Sequence, residues 1–202
     1  MNPLHRGDSP PEHAGAGRRW PAVPACYGWL SLDRRGRWRL RSEPVSHAGL
    51  IDFLNRRYTH DESGNYFVEN GPQRVFVDLE YTPWVVHLAS ETCLETHVGT
   101  VVSEIRGAAL DDEGSLLLEI PQGIGLVCDR DLPSIVRLIR SADGESADEA
   151  SLLGFIERPP AAKSQPLHLC WQGHCLPLIR LRRVDVATLY GFVAAPCAET
   201  AG

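Results

Sequence analysis

The chain has 202 residues, enough for one domain or two small ones around a buried core. Its 43% apolar and 23% charged content is that of a globular protein, and a formal charge of −6 gives nucleic-acid phosphates or an anionic membrane face nothing to attract. No apolar run approaches the ~18–20 residues a bilayer span needs and no secretory signal opens the chain, so a cytoplasmic protein without nucleic-acid or membrane partners is expected.

Residues 1–26, rich in Pro, Gly and Ala, read as a disordered leader. "YGWLSLD" and "RWRLR" then flank "RRG" as the arms of a hairpin with a Gly-containing loop. "SHAGLIDFLNRRY" has helical spacing, with Ser46 as N-cap and Leu50, Ile51, Leu54 and Tyr58 on one face. Two strands joined by "NGPQ" follow.

From here the chain repeats itself. Residues 47–88 set against 97–138 without a gap share ten of 42 positions, where about two or three would match by composition alone. "DESG" and "DDEG" mark the same turn, "YFVE" and "LLLE" the same strand after it, and "YTPWVVHL" aligns with "DLPSIVRL". Turn Asp and Gly match cheaply in any protein, but the agreement continues through strand positions that turn chemistry does not explain. One feature resists. Val75, Val77 and Leu79 alternate on one face, whereas Ile124, Leu126 and Cys128 fall on the opposite parity. The second strand must therefore carry a bulge or be buried on both sides.

Further on, "SADGESADEASLLGFIERPP" is an acidic linker that becomes a short helix, Asp148 to Glu157, stopped by Pro159. "WQGHCLPLIRLRRVDVATL" then repeats the spacing of "WRLRSEPVSHAGLIDFL". The expected fold is α+β, mostly antiparallel strands with short helices, on an internally duplicated hairpin–helix–strand motif. Its parts are a first repeat over 27–90, a second over 91–141, the linker and helix over 142–166, and a C-terminal hairpin and helix over 167–195 packing on the repeats.

The densest chemical cluster is "HLCWQGHC". With Gln172 and Gly173 as a two-residue loop, Trp171 faces His174 and Cys170 faces Cys175. Alternation puts His168, Cys170 and Cys175 on one face and His174 on the other, so a four-ligand metal site does not close. The six Cys are scattered as expected of a reducing compartment, and Cys170 and Cys175 read as packed, oxidisable thiols. His47 and His97 are repeat-equivalent but lack a carboxylate partner at fixed offset; His87 reads as a strand-face residue. Asp61, Glu62, Asp111, Asp112 and Glu113 read as turn acids. Asp78, Glu80, Asp129 and Asp131 cluster before Pro83 and Pro133 and could surround one surface. Tyr81 and Trp84 stand where the second copy has Asp131 and Ser134, an aromatic patch in one copy only. Trp84 either serves binding or fills the core between the units. No nucleophile elbow, phosphate loop or paired Cys-x-x-Cys is present.

"GRWRLRSEPVSHAGLIDFL", "DESGNYFVENGPQRVFVDLEYTP", "GIGLVCDRDLP" and "PLIRLRR…LYGFV" together resemble an uncharacterised proteobacterial family of unknown function, over residues 27–195. The resemblance implies repeated α+β motifs and a link to signalling or regulation, with no catalytic residues to carry over. The long leader depart from that pattern, as does Cys128, where an acidic or small residue is expected.

Two functional readings follow. The first is a cytoplasmic binding or regulatory module that takes a small molecule or protein between the repeats, near Tyr81, Trp84, Asp129 and Asp131, without metal, cofactor or catalytic residue. The second is a hydrolase using carboxylates with His87 or His97. A purely structural homodimer is a third.

Overall fold

The computed structural model describes residues 24–157 and 166–198. Most of the expected leader therefore lies outside the described residues, while its end, Ala25 and Cys26, already belongs to the first strand.

The fold is α+β, two mixed sheets with short helices. The first hairpin forms as its sequence requires: β1 (Ala25–Leu32) pairs antiparallel with β2 (Trp38–Leu40), and the short β3 (Glu43–Pro44) extends it. Helix α1 (Ala48–Arg57) buries Leu54. Its N-cap is His47 rather than Ser46, because the His47 ring accepts the Leu50 N–H through Nδ1 at 3.2 Å. Strands β4 (Tyr58–His60), β5 (Tyr66–Asn70) and β6 (Gln73–Leu79) form a meander, and β6 docks parallel on β1. The first sheet thus runs β3-β2-β1-β6-β5-β4.

The second sheet repeats this plan. Strands β7 (Trp84–Ser90) and β8 (Cys93–Thr96) make a hairpin; β9 (Gly107–Asp111), β10 (Leu116–Ile120) and β11 (Gly123–Val127) make a meander. Strand β11 docks parallel on β7, as β6 does on β1. The offset of fifty holds through the meanders. It fails at both ends. No helix matches α1, since residues 97–106 form a loop, and "DLPSIVRL" folds as the helix α2 (Leu132–Val136) where "YTPWVVHL" folds as β7. Residues 84–90, read with the first repeat, pair in the second sheet. The parity conflict resolves as burial on both faces: Ile124 to Cys128 are all buried and β11 runs between β10 and β7 without a register shift.

Beyond α2 come β12 (Ile139–Ser141) and α3 (Glu149–Glu157), whose first turn Asp148 caps by accepting the Ser151 N–H at 2.8 Å. Strands β13 (Leu167–Trp171) and β14 (His174–Leu181) form the expected hairpin in the expected register, with Cys170 opposite Cys175 and Trp171 opposite His174. Strand β14 docks parallel on β9, giving the second sheet the order β12-β13-β14-β9-β10-β11-β7-β8. A 3-10 turn (Arg183–Asp185) leads into α4 (Val186–Leu189), and the chain then crosses to the first sheet. There Val193 N–H donates to Gly64 O and Leu79 N–H to Ala194 O.

One turn recurs through the molecule. Asp33, Asp61 and Asp111 each open a five-residue loop, each accepting two backbone N–H groups through Oδ1, from the residues two and four positions on. The fourth residue is Gly with φ between 74° and 80°, a left-handed position where other residues are strained. Thr96 and Ser141 open loops with the same backbone pattern. Both sheets share one core, in which Leu30, Leu54, Val77, Leu116, Leu117 and Leu118 are among the fully buried side chains. No helix of the described residues is long and apolar enough to cross a membrane.

Candidate functional site

The β1–β2 loop of the first sheet leans over the second sheet. A Cβ on Gly36 at its tip would lie 2.5 Å from His97 Cβ, so only glycine permits this approach. Beside the tip is a cleft of about 380 Å³. One wall carries Arg34, Arg35, Arg37 and Arg39; the other is formed by the β9–β10 turn at Glu113 to Ser115 and by Leu126, Val127, Asp129 and Leu132.

The arginines differ in how firmly they are held. Asp33, only 5% exposed, bonds Arg37 Nε at 2.8 Å and has Arg39 Nε at 3.5 Å. Burial pushes the Asp33 carboxyl up, but the Arg37 and Arg35 N–H groups and the Arg37 side chain outweigh it and leave it below the ordinary range. Arg34 spans the cleft to Ser115 Oγ at 2.8 Å. Arg35 forms a two-pronged pair with Asp129, Nε to Oδ1 at 3.0 Å and Nη2 to Oδ2 at 2.6 Å, and these hydrogen bonds hold the Asp129 carboxyl down to about 2. Both partners are about half exposed.

The residues singled out from the sequence separate. Asp129 lines the cleft. Tyr81 does not face solvent: it is buried, its hydroxyl donates to Asp111 Oδ2 at 2.7 Å, and its ring is flanked by the Arg34 and Arg183 guanidiniums. Burial, with Asp111 beside it, drives its phenol well above the ordinary value. Tyr81 thus braces the cleft from behind. Trp84 fills the core between the sheets, packed on Tyr58, Tyr66 and His97, with Nε1 donating to Gln122 O at 2.9 Å. The aromatic-patch reading of Tyr81 and Trp84 is corrected accordingly, because both side chains find buried polar partners behind the surface. Glu80 lines the cleft and Asp78 does not; burial raises the Asp78 carboxyl.

His97 is partly buried and packs against the core, with its Nε2 shut off from solvent. It lies among Trp38, Tyr58 and Trp84, accepts the Val85 N–H through Nδ1 at 3.3 Å, and is held neutral by burial, which lowers its value to about 3. No acid faces it among its described partners, so the catalytic reading of His97 falls. Cys170 and Cys175 are joined in a disulfide rather than left as packed thiols, their Cα atoms 4.0 Å apart at directly opposed positions. Cys26, Cys93, Cys128 and Cys197 are free.

Another cluster was not read from the sequence. His87, Cys128 and Asp131 bring one donor atom each to within 4.8 Å of one another. Strand pairing explains it: Cys128 follows Val127, the register partner of Val86, and donates its N–H to Val86 O, so it stands beside His87 just past the end of β11. The turn after β11, closed by the Asp131 and Leu132 N–H groups on Cys128 O, returns Asp131 to the same place. Asp131 Oδ2 then lies 3.5 Å from His87 Nδ1 and accepts the Leu88 N–H at 3.2 Å. The Cys-x-x-Asp spacing was visible; the third partner depends on a parallel pairing that no local pattern announces.

With this geometry, comparison places the chain. Residues 14–197 match the model of the family DUF2944, described as "Protein of unknown function (DUF2946)". The chain belongs to that family. No curated protein matches it. Among solved structures it is similar to a DUF1285 family protein from Silicibacter pomeroyi DSS-3, at 12% identity and a TM-score of 0.50 over 86% of this chain and 90% of that one. A DUF1285 family protein from Shewanella baltica OS155 also matches, at 17% identity and a TM-score of 0.42 over 54% and 91%. The first of these likenesses is one of fold.

Proposed function

We propose that this DUF2944 protein is a binding or regulatory module whose ligand is a small molecule carrying a carboxylate or phosphate group, taken up in the cleft between the β1–β2 loop and the second meander. The observation that carries this reading is the contrast among the cleft's arginines. Arg37 is tied to a buried carboxylate. Arg35 is held by Asp129 at the surface, where solvent screens the ion pair and a ligand anion can replace the carboxylate. Because Asp33, Glu80, Glu113 and Asp129 balance the four arginines, recognition rests on the fork of Arg35 and on shape rather than on a net positive field.

A thermal-shift screen of small carboxylates and phosphates tests it. At a hundredfold excess over Kd, a ligand stabilises by about 2.7 kcal/mol, or roughly 5–10 °C for a chain of this size. Arg35→Ala, a half-exposed change that leaves the fold intact, should abolish the rise. A rise that survives in Arg35→Ala, or no rise with any compound, counts against the reading.

The hydrolase reading narrows to His87, since its Nδ1 and the Asp131 carboxylate converge at 3.5 Å.

A further inference from the structure

We propose that His87, Cys128 and Asp131 form a binding site for a divalent metal ion of intermediate softness, of which zinc is the type. The proposal is independent of the cleft reading.

The donor set is the first argument. An imidazole nitrogen, a thiolate sulfur and a carboxylate oxygen suit zinc, whereas calcium and magnesium avoid sulfur. A thiolate and a carboxylate with a neutral imidazole carry two negative charges, which one dication neutralises.

Geometry is the second. Donors around a tetrahedral zinc, with bonds of 2.0–2.3 Å, stand about 3.3–3.8 Å apart. His87 Nδ1 and Asp131 Oδ2 are already at 3.5 Å, and all three donor atoms lie within 4.8 Å. Closing on an ion takes side-chain movements of about 1 Å. The same closeness argues against a nucleophilic triad. In such a relay the imidazole stands between acid and thiol, which puts oxygen and sulfur more than about 6 Å apart. Here the three atoms lie within 4.8 Å of one another.

The scaffold is the third. The donors sit on β7, on the residue just past the end of β11 and on the residue that opens α2, all fixed by backbone hydrogen bonds. Cys128 is fully buried; His87 and Asp131 are about three-quarters buried. The far ring nitrogen of His87, Nε2, faces Gly36 at the hairpin tip, which leaves Nδ1 for the ion. The Cys128 thiol donates to Asp129 Oδ1 at 3.5 Å, and that exposed carboxylate can turn into solvent when a metal takes the proton's place. Three protein donors leave a fourth position open to water or a ligand. Val127, Asp129 and Leu132, chain neighbours of the donors, line the cleft.

The test is a cobalt titration of the full-length, chelator-treated protein, followed by its absorbance. We expect one equivalent of cobalt to bind with a near-ultraviolet thiolate-to-cobalt charge-transfer band, and one equivalent of zinc to displace it. Cys128→Ser should abolish the band, and His87→Ala and Asp131→Asn should each weaken binding more than tenfold. Cys170→Ser/Cys175→Ser, and Cys93→Ser with Cys197→Ser, should leave it unchanged. Circular dichroism checks the fold of each variant; should Cys128→Ser not fold, the partly exposed His87 and Asp131 variants decide. The proposal fails if the folded wild-type protein gives no such band. It also fails if the band survives loss of His87 and Asp131, or vanishes with Cys170 and Cys175.

Discussion

The two meanders, β4–β6 and β9–β11, share turns, pairing and a parallel dock on the preceding hairpin, yet they are finished differently. In the first, the strand end at Asp78 is partnered by Ser31 of β1. In the second, the equivalent Cys128 stands beside His87, and three residues later Asp131 joins them. Past that point the first copy extends into β7 and the second coils into α2. Shared turns therefore fix the backbone, while the residues just beyond each meander decide which chemistry gathers there.

The strongest way to break the equivalence is at aligned positions 84 and 134. Trp84→Ala removes a buried indole between the sheets and should cost about 3–5 kcal/mol in urea unfolding. Ser134→Ala, at an exposed position, should stay within about 0.5 kcal/mol. A small effect at Trp84 would return it to the surface.

The shared turn allows a finer comparison. Asp111 is wholly buried and also receives the Tyr81 hydroxyl, so Asp111→Ala strands three donors and should cost about 3 kcal/mol. Asp61 opens the same turn near solvent, where water replaces its carboxylate, and Asp61→Ala should cost about 1 kcal/mol by the same measurement. Equal losses would mean that the turn, and not its surroundings, sets the energy.

Of the repeat-equivalent histidines, His97 gives an effect that only acid pH brings out. Partly buried His97, its ring shut in among aromatic side chains, has its folded value lowered to about 3, against about 6.5 unfolded. Its contribution is therefore complete above about pH 6.5 and is lost as pH falls toward 3, reaching about 2 kcal/mol by pH 5. His97→Gln should flatten that part of the stability-against-pH curve, and an unchanged curve would assign the slope to other groups.

Much of this was legible in the sequence because it was local. The first hairpin, α1, the Asp-x-x-Gly loops and the Cys170–Cys175 register all follow from patterns within a few residues. Pro-x-x-Val-x-Leu was not decisive: the same six positions serve a strand at Pro83 and a helix at Pro133, because an apolar spacing of two suits neither uniquely over so short a run. The three parallel docks were equally hidden, and with them the meeting of His87 with Cys128 and the approach of the Arg34–Arg35 loop to Asp129. For Trp84 the sequence left binding and core filling both open, because an aromatic residue unmatched in its repeat looks like specialisation; the structure takes the core reading, and Tyr81 is buried with it.

The crossing of residues 192–194 onto the Gly64 loop and the end of β6 also bears on how the chain is made. On the ribosome, the first sheet emerges early but lacks these hydrogen-bonded neighbours until residues 192–194 have been synthesised. Until then that seam stays open, and an unpaired strand edge is what makes a folding intermediate prone to aggregate.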